Sequence, residues 1–176
     1  MQNIRQELSP ESVSSSSGPP QPGWWGATFL MPHSITQHWQ PRIQQIFPAE
    51  AIAVPIALAV LSCYLRDHDV VTFCDNESAV AALIRGASRS EDVSEIAELF
   101  TACCVVVGCR CWVDWIDSAS NPSDGLSRDG IKDEWTARQN WAVSELQPLH
   151  FPEIASDPWS SAVLLVHWGL NSSVSA

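Results

Sequence analysis

The sequence predicts an α/β domain, and three observations carry that expectation. Val70-Val71-Thr72-Phe73-Cys74 is a short apolar run of strand length, rich in β-branched and aromatic residues. It passes at once through Asp75 and Asn76, both good helix-capping residues, into Ala79, Ala82 and Leu83. Those three sit at the i, i+3, i+4 spacing of a helix that packs on a sheet. Strand-like and helix-like segments then alternate along the chain, as in sheets flanked by helices. Asp75 has two readings. It is a helix cap, or it is a site carboxylate at the carboxyl end of a strand, where open α/β sheets place their ligands.

The length of 176 residues suits one domain with tails, and 45% hydrophobic residues suffice for a core. The net charge of −11, from 9 basic and 20 acidic residues, argues against a free-standing electrostatic nucleic-acid binder. It is compatible with a carboxylate-rich site for divalent metal. Met1 to Pro10 is polar and charged, so no signal peptide is read there. No apolar run approaches the roughly 20 residues of a membrane span. The 6 cysteines form no CxxC pair, which points to reduced, buried thiols in an intracellular protein, cytoplasmic or nuclear. Cys103, Cys104, Cys109 and Cys111 have the wrong spacing for a zinc ribbon or finger.

Taken in order, residues 1–22 are rich in Ser and Pro and read as a disordered tail that supplies no core strand. Residues 23–146 read as the folded domain. It opens with a strand near Trp25 to Leu30 and a second, antiparallel strand over Ile35 to Trp39. His33 and His38 read as a surface loop residue and an outward strand residue before they read as ligands. Ile46 to Leu65 is an apolar helical pattern with Pro48 in its first turn, and Pro55 should kink or restart it. Glu50 is conspicuous among Ala49, Ala51, Ile52 and Ala53. It is either a first-turn acid favoured by the helix dipole or a carboxylate aimed at the sheet end.

The strand and helix of the opening stretch follow, and Gly86 ends that helix. A further helix is predicted from Ser90 to about Val105, then a strand over Arg110 to Ile116. Asp117 to Arg128 is a loop dense in turn formers and carries Asp124, which either caps a short helix or faces a metal. Lys132 to Leu146 reads as helix. Residues 147–176 read as an irregular tail, because Pro148, Pro152 and Pro158 interrupt them.

A helix Glu and two acids at strand or loop ends could converge on one spot. Hard divalent cations such as Mg²⁺ take oxygen ligands and are held by a few carboxylates plus substrate phosphates. Two such ions clamp the attacking and leaving oxygens of a phosphodiester.

Asp75-Asn76-Glu77-Ser78-Ala79 and Asn121-Pro122-Ser123-Asp124-Gly125-Leu126-Ser127-Arg128 together resemble the DNxxA and NPxDxLSR motifs of a known family. It is the ribonuclease H domain of retroelement reverse transcriptases. Trp25-Gly26-Ala27, Trp39 and Ala49-Glu50 are similar to its earlier parts, so the resemblance spans about Gly23 to Arg128. It implies a ribonuclease H-like mixed sheet of five strands flanked by helices. It implies Glu50, Asp75 and Asp124 as catalytic metal ligands, three of the family's four, with Mg²⁺ as cofactor and Mn²⁺ as its substitute. The implied reaction is hydrolysis of the RNA strand of an RNA–DNA hybrid. The implied partners are that hybrid and a reverse transcriptase domain upstream in a parent polyprotein, with no membrane.

The chain departs from the family at its start. The family's first, central strand carries the fourth acid, but here Ser17 to Pro22 holds three prolines, and no Asp or Glu lies between Glu11 and Glu50. Proline donates no ladder hydrogen bond, so this segment cannot be a central strand. The expectation is therefore an N-terminally truncated domain, with little or no nuclease activity as an isolated chain. The competing functions are a non-catalytic connection-type interaction module on the same fold and an acidic α/β binding domain.

Overall fold

The computed structural model describes residues 5–8, 25–28, 40, 46–129, 132–139, 142–144 and 157–173. In chain order its elements are β1 (Arg5–Leu8), β2 (Trp25–Thr28), α1 (Ile46–Val60), α2 (Ser62–Leu65), β3 (Asp69–Cys74), α3 (Glu77–Arg85), α4 (Glu91–Val107) and β4 (Arg110–Trp115). A 3-10 turn at Ser118–Ser120 leads to α5 (Pro122–Asp129), α6 (Glu134–Gln139), β5 (Ala142–Ser144) and α7 (Pro158–Ser173). The result is a mixed α/β chain in which helices dominate. It divides into two compact units, one of Met31–Ser120 with Leu149–Ala176, the other of Met1–Leu30 with Asn121–Pro148.

The first unit is built on the predicted strand–helix–helix–strand run. β3 and β4 pair in parallel, in register from Asp69 with Arg110 to Cys74 with Trp115. Parallel neighbours need a crossover, and α3 and α4 supply it. α3 starts on Asn76 and stops at Gly86, whose φ of 67° is the left-handed closure that glycine makes without strain. α1, α4 and α7 pack on one another, and α3 packs on α1, α4 and the strands. The core is their shared filling: Ile52, Ile56 and Leu58 from α1, Val93, Cys103 and Val107 from α4, and Leu165 from α7, all nearly or fully buried. Each large apolar side chain so removed from water contributes about 2 kcal/mol.

β3 and β4 turn only one face to this core. Val113 and Cys74 lie inside, whereas Val71, Phe73 and Trp112 are exposed by 58%, 43% and 62%. Parallel sheets are ordinarily covered on both faces, so the exposure of these apolar side chains among the described residues is a departure from the usual layering.

Pro55 does not break α1. The helix runs through it from Ile46 to Val60 and yields at Leu61, whose ψ of 9° separates α1 from α2. Pro55 is buried, and packing around it holds the helical path that its missing N–H weakens. Because α1 begins at Ile46, its first turn contains no acid, and Glu50 lies beyond it. The first-turn reading of Glu50 is thereby corrected.

In the second unit β1 lies between β2 and β5, antiparallel to both, with Glu7 opposite Gly26 on one side and Val143 on the other. α5 packs on β2 and α6. Three expectations are corrected by this unit and by α7. The tail before Gly23 does supply a strand, at Arg5–Leu8. Its sequence carries no period-2 signal, and the order comes from two pairing neighbours, a context that overrides propensity. The helix expected over Lys132 to Leu146 is confined to Glu134–Gln139 and gives way to β5, where Val143 meets β1. Within the C-terminal stretch, Pro158–Ser173 is helical rather than irregular. Asp157 caps it, its Oδ2 accepting the Ser160 N–H at 2.7 Å, and Pro158 takes the first helical position, which needs no donor. The five strands among the described residues form a three-stranded antiparallel and a two-stranded parallel sheet, where the resemblance implies one mixed sheet. The strand predicted over Ile35 to Trp39, His33 and His38 lie outside the described residues.

Candidate metal centre

The geometry at the end of β3 bears on the capping reading of Asp75. Asn76, not Asp75, caps α3: its Oδ1 accepts the N–H of Ser78 at 3.0 Å and of Ala79 at 3.1 Å. Asp75 sits one residue earlier, in the turn that leaves the strand. The Trp115 indole N–H donates to the Asp75 carbonyl at 3.3 Å, and the Ile116 N–H donates to the Cys74 carbonyl at 3.1 Å. The turn is thus held through its backbone carbonyls, and the Asp75 carboxylate is not used in capping.

Glu50 comes to the same place from α1. One ligand atom each of Glu50, Cys74 and Asp75 lies within 4.8 Å of the others. Glu50 and Asp75 are half-buried and Cys74 is buried. Two carboxylates about 5 Å apart repel by about 3 kcal/mol at an effective dielectric of ~20. A bound cation removes that cost, which is why close carboxylates suit a metal.

The donor set favours a hard cation held by oxygen. Burial pushes the Cys74 thiol up to about 11, partly opposed by a backbone hydrogen bond at Asn76 and raised further by the charges of Glu50 and Asp75. At neutral pH Cys74 is a neutral thiol, a poor ligand for Mg²⁺, and acts as an apolar wall beneath the carboxylates. Two carboxylates with water and substrate oxygens are a common Mg²⁺ arrangement, so Glu50 and Asp75 fit the ion.

Asp124 belongs to the other unit, in the first turn of α5, where Asn121 accepts the Ser123 N–H through Oδ1 at 3.0 Å and the Asp124 N–H through its carbonyl at 3.1 Å. Of the three acids singled out from sequence, two converge. Cys74 was missed as their neighbour, because strand alternation sets it on the opposite face from residue 75. The strand ends at Cys74, so alternation ceases to hold there, and that boundary was the available signal.

No family model, curated protein or solved structure matches the chain. Among the described residues, no helix is long and apolar enough to cross a membrane.

Proposed function

We propose that this chain is a ribonuclease H-like domain of retroelement origin, ancestrally a metal-dependent hydrolase of RNA in RNA–DNA hybrids. The observation that carries the reading is the meeting of Glu50 with Asp75 at the carboxyl end of β3, with Asn76 taking the capping role. In this reading Glu50 and Asp75 hold Mg²⁺ or Mn²⁺, and Asp124 of the NPSDGLSR stretch is the third acid. The ion supplies positive charge that lowers the cost of attack on a phosphodiester. The side chains hold the ion at the strand end and set its position relative to substrate. The parent polyprotein supplies the hybrid and an upstream reverse transcriptase domain, inside the cell.

As this chain, the domain is expected to bind metal but not to cleave hybrid. Two carboxylates in the group are fewer than the family uses, and a net charge of −11 opposes a polyanionic substrate. Thermal melting with and without Mg²⁺ tests the metal site. A rise in Tm with Mg²⁺ that is lost in Glu50→Gln and in Asp75→Asn is expected. An unchanged Tm across millimolar Mg²⁺ and Mn²⁺ would discard the site. Mg²⁺-dependent cleavage of an RNA–DNA hybrid, abolished by Asp75→Asn, would overturn the inactivity.

A second reading, a non-catalytic connection-type interaction module, is favoured by the exposed face of Val71, Phe73 and Trp112. Apolar surface of this kind marks contact with other protein. Under that reading metal leaves the Tm unchanged.

A further inference from the structure

The face that β3 and β4 turn away from the core is patterned. Strand alternation sets Asp69, Val71 and Phe73 on it from β3, and Arg110, Trp112 and Asp114 from β4. All of them are exposed. The parallel register arranges them in rows: Asp69 with Arg110, Val71 with Trp112, and Phe73 with Asp114. From the amino to the carboxyl end, the face passes from an acid and a base, through an apolar row, to an aromatic ring beside an acid.

The two acids of this face differ in what neutralises them. Asp69 is matched from within, because the Arg110 guanidinium donates to it through Nε at 2.5 Å and through Nη2 at 2.9 Å. Asp114 meets Phe73 across the strands, and its Oδ1 accepts the Trp115 backbone N–H at 2.8 Å. Among the described residues no cation forms an ion pair with it. Trp112 stands two residues earlier on the same strand, about 7 Å away along the chain. A guanidinium stacked on the Trp112 ring can reach the Asp114 carboxylate, and apolar side chains beside it can cover Val71 and Phe73. Charge then selects among occupants. At −11 the chain repels a second copy of itself and the phosphates of a nucleic acid, and it attracts a cationic partner. Arginine suits the place better than lysine. A planar guanidinium stacks on an aromatic ring and forks onto a carboxylate, as Arg110 does on Asp69.

We propose that this face docks a basic, amphipathic segment of another protein, whose arginine lies between Trp112 and Asp114 and whose apolar side chains cover Val71 and Phe73. The proposal rests on the interaction-surface reading of this face and is independent of Glu50 and Asp75. The arginine makes a cation–π contact with Trp112, which strengthens as the covering side chains exclude water. Its contact with Asp114 is a charge-assisted hydrogen bond. The Asp69–Arg110 pair marks the limit of the face. Its fork is already filled and its charges cancel, so a second cation gains little there. That asymmetry orients the docked segment, with its cation at the carboxyl end of the strands.

The test uses the full chain and labelled synthetic peptides at about 0.1 M salt, where long-range attraction is damped. The first peptide is an amphipathic helix with arginine and leucine on the same face. The second has serine in place of leucine, and the third has glutamate in place of arginine. Binding is read by fluorescence anisotropy. The arginine–leucine peptide should bind, and the other two should bind more weakly by about tenfold or more. Trp112→Ser and Asp114→Asn should each raise its Kd about tenfold, the size of one well-placed cation contact. Glu98→Gln removes the same charge from an exposed position on α4 and should leave Kd unchanged. An equal loss in Glu98→Gln would reduce the attraction to diffuse charge and overturn the docking site. Equal binding of the glutamate peptide would keep an interaction surface but overturn its basic partner. Oligouridine that binds more tightly than the arginine–leucine peptide, and is released by Trp112→Ser, would overturn the proposal in favour of single-stranded nucleic acid. A dimer of the chain that Trp112→Ser abolishes and the peptide leaves intact would overturn it in favour of a second copy. If no peptide binds, the interaction reading falls as well, whereas the Mg²⁺ melting experiment stands or falls separately. Asp114→Asn keeps the side-chain volume and an oxygen for the Trp115 N–H, so a folding defect in Trp112→Ser leaves the second variant to decide.

Discussion

Asp75 and Asn76 are adjacent, yet they do different work: Asn76 Oδ1 receives the first N–H groups of α3, and the Asp75 carboxylate joins Glu50 instead. Their roles are separable by stability. Asn76→Ala removes two hydrogen bonds to otherwise orphaned donors and should cost about 1 kcal/mol in chemical denaturation. Asp75→Asn leaves that cap intact and, without metal, should be neutral or stabilising, because it removes the repulsion with Glu50. A loss from Asp75→Asn as large as that from Asn76→Ala would return Asp75 to a structural role.

Gly169 of α7 rests against the backbone of Ala59 in α1, and a Cβ there would run into the Ala59 carbonyl. Backbone cannot move aside as a flexible side chain can. Gly169→Ala should therefore destabilise by about 1–3 kcal/mol, despite the better helix propensity of alanine. A denaturation midpoint equal to or above that of the parent would show that the helices part at no cost.

Cys111 should titrate near neutrality. Its pKa is lowered to about 7, first by the hydrogen bond from Cys104, with Thr72 assisting and burial opposing. The rate of its alkylation by iodoacetamide should rise through a midpoint near pH 7, whereas Cys103, raised to about 12 by burial, should stay unreactive. A depressed folded value adds stability above the unfolded pKa of about 8.5 and loses it as pH falls through about 7. Cys104 is shifted upward and works in the opposite sense, so the alkylation rate is the cleaner measurement. A Cys111 midpoint at the ordinary thiol value would show that its surroundings do not favour the thiolate.

The sequence made β3, α3, α4 and β4 legible because period and punctuation agree there. Val70 to Cys74 is a β-branched run, Asn76 and Gly86 bracket one helix, and Ser90 and Gly108 bracket the next. Glu50 and Asp75 were legible as a pair only because α1 and β3 could be placed. β1 was not legible: Arg5-Gln6-Glu7-Leu8 has one apolar residue, and its strand exists through pairing with β2 and β5. α7 carried a signal that the surrounding prolines and serines obscured. Asp157-Pro158 is a start, and Ala162, Leu165, Val166 and Gly169 follow at helical spacing. The closure at Gly108, where the Cys109 N–H meets the Cys104 carbonyl, follows from the glycine that ends α4.

The bare face of β3 and β4 sets how the molecule behaves in concentrated solution. Val71, Phe73 and Trp112 are exposed apolar side chains, and a net charge of −11 on each chain opposes the approach of two such faces. That protection is long-ranged in dilute buffer and shrinks to about 10 Å at 0.1 M salt. It vanishes near the isoelectric point of about 4.6. The chain should therefore be most soluble at low ionic strength and mildly alkaline pH, and should self-associate as salt or acid silences its charge.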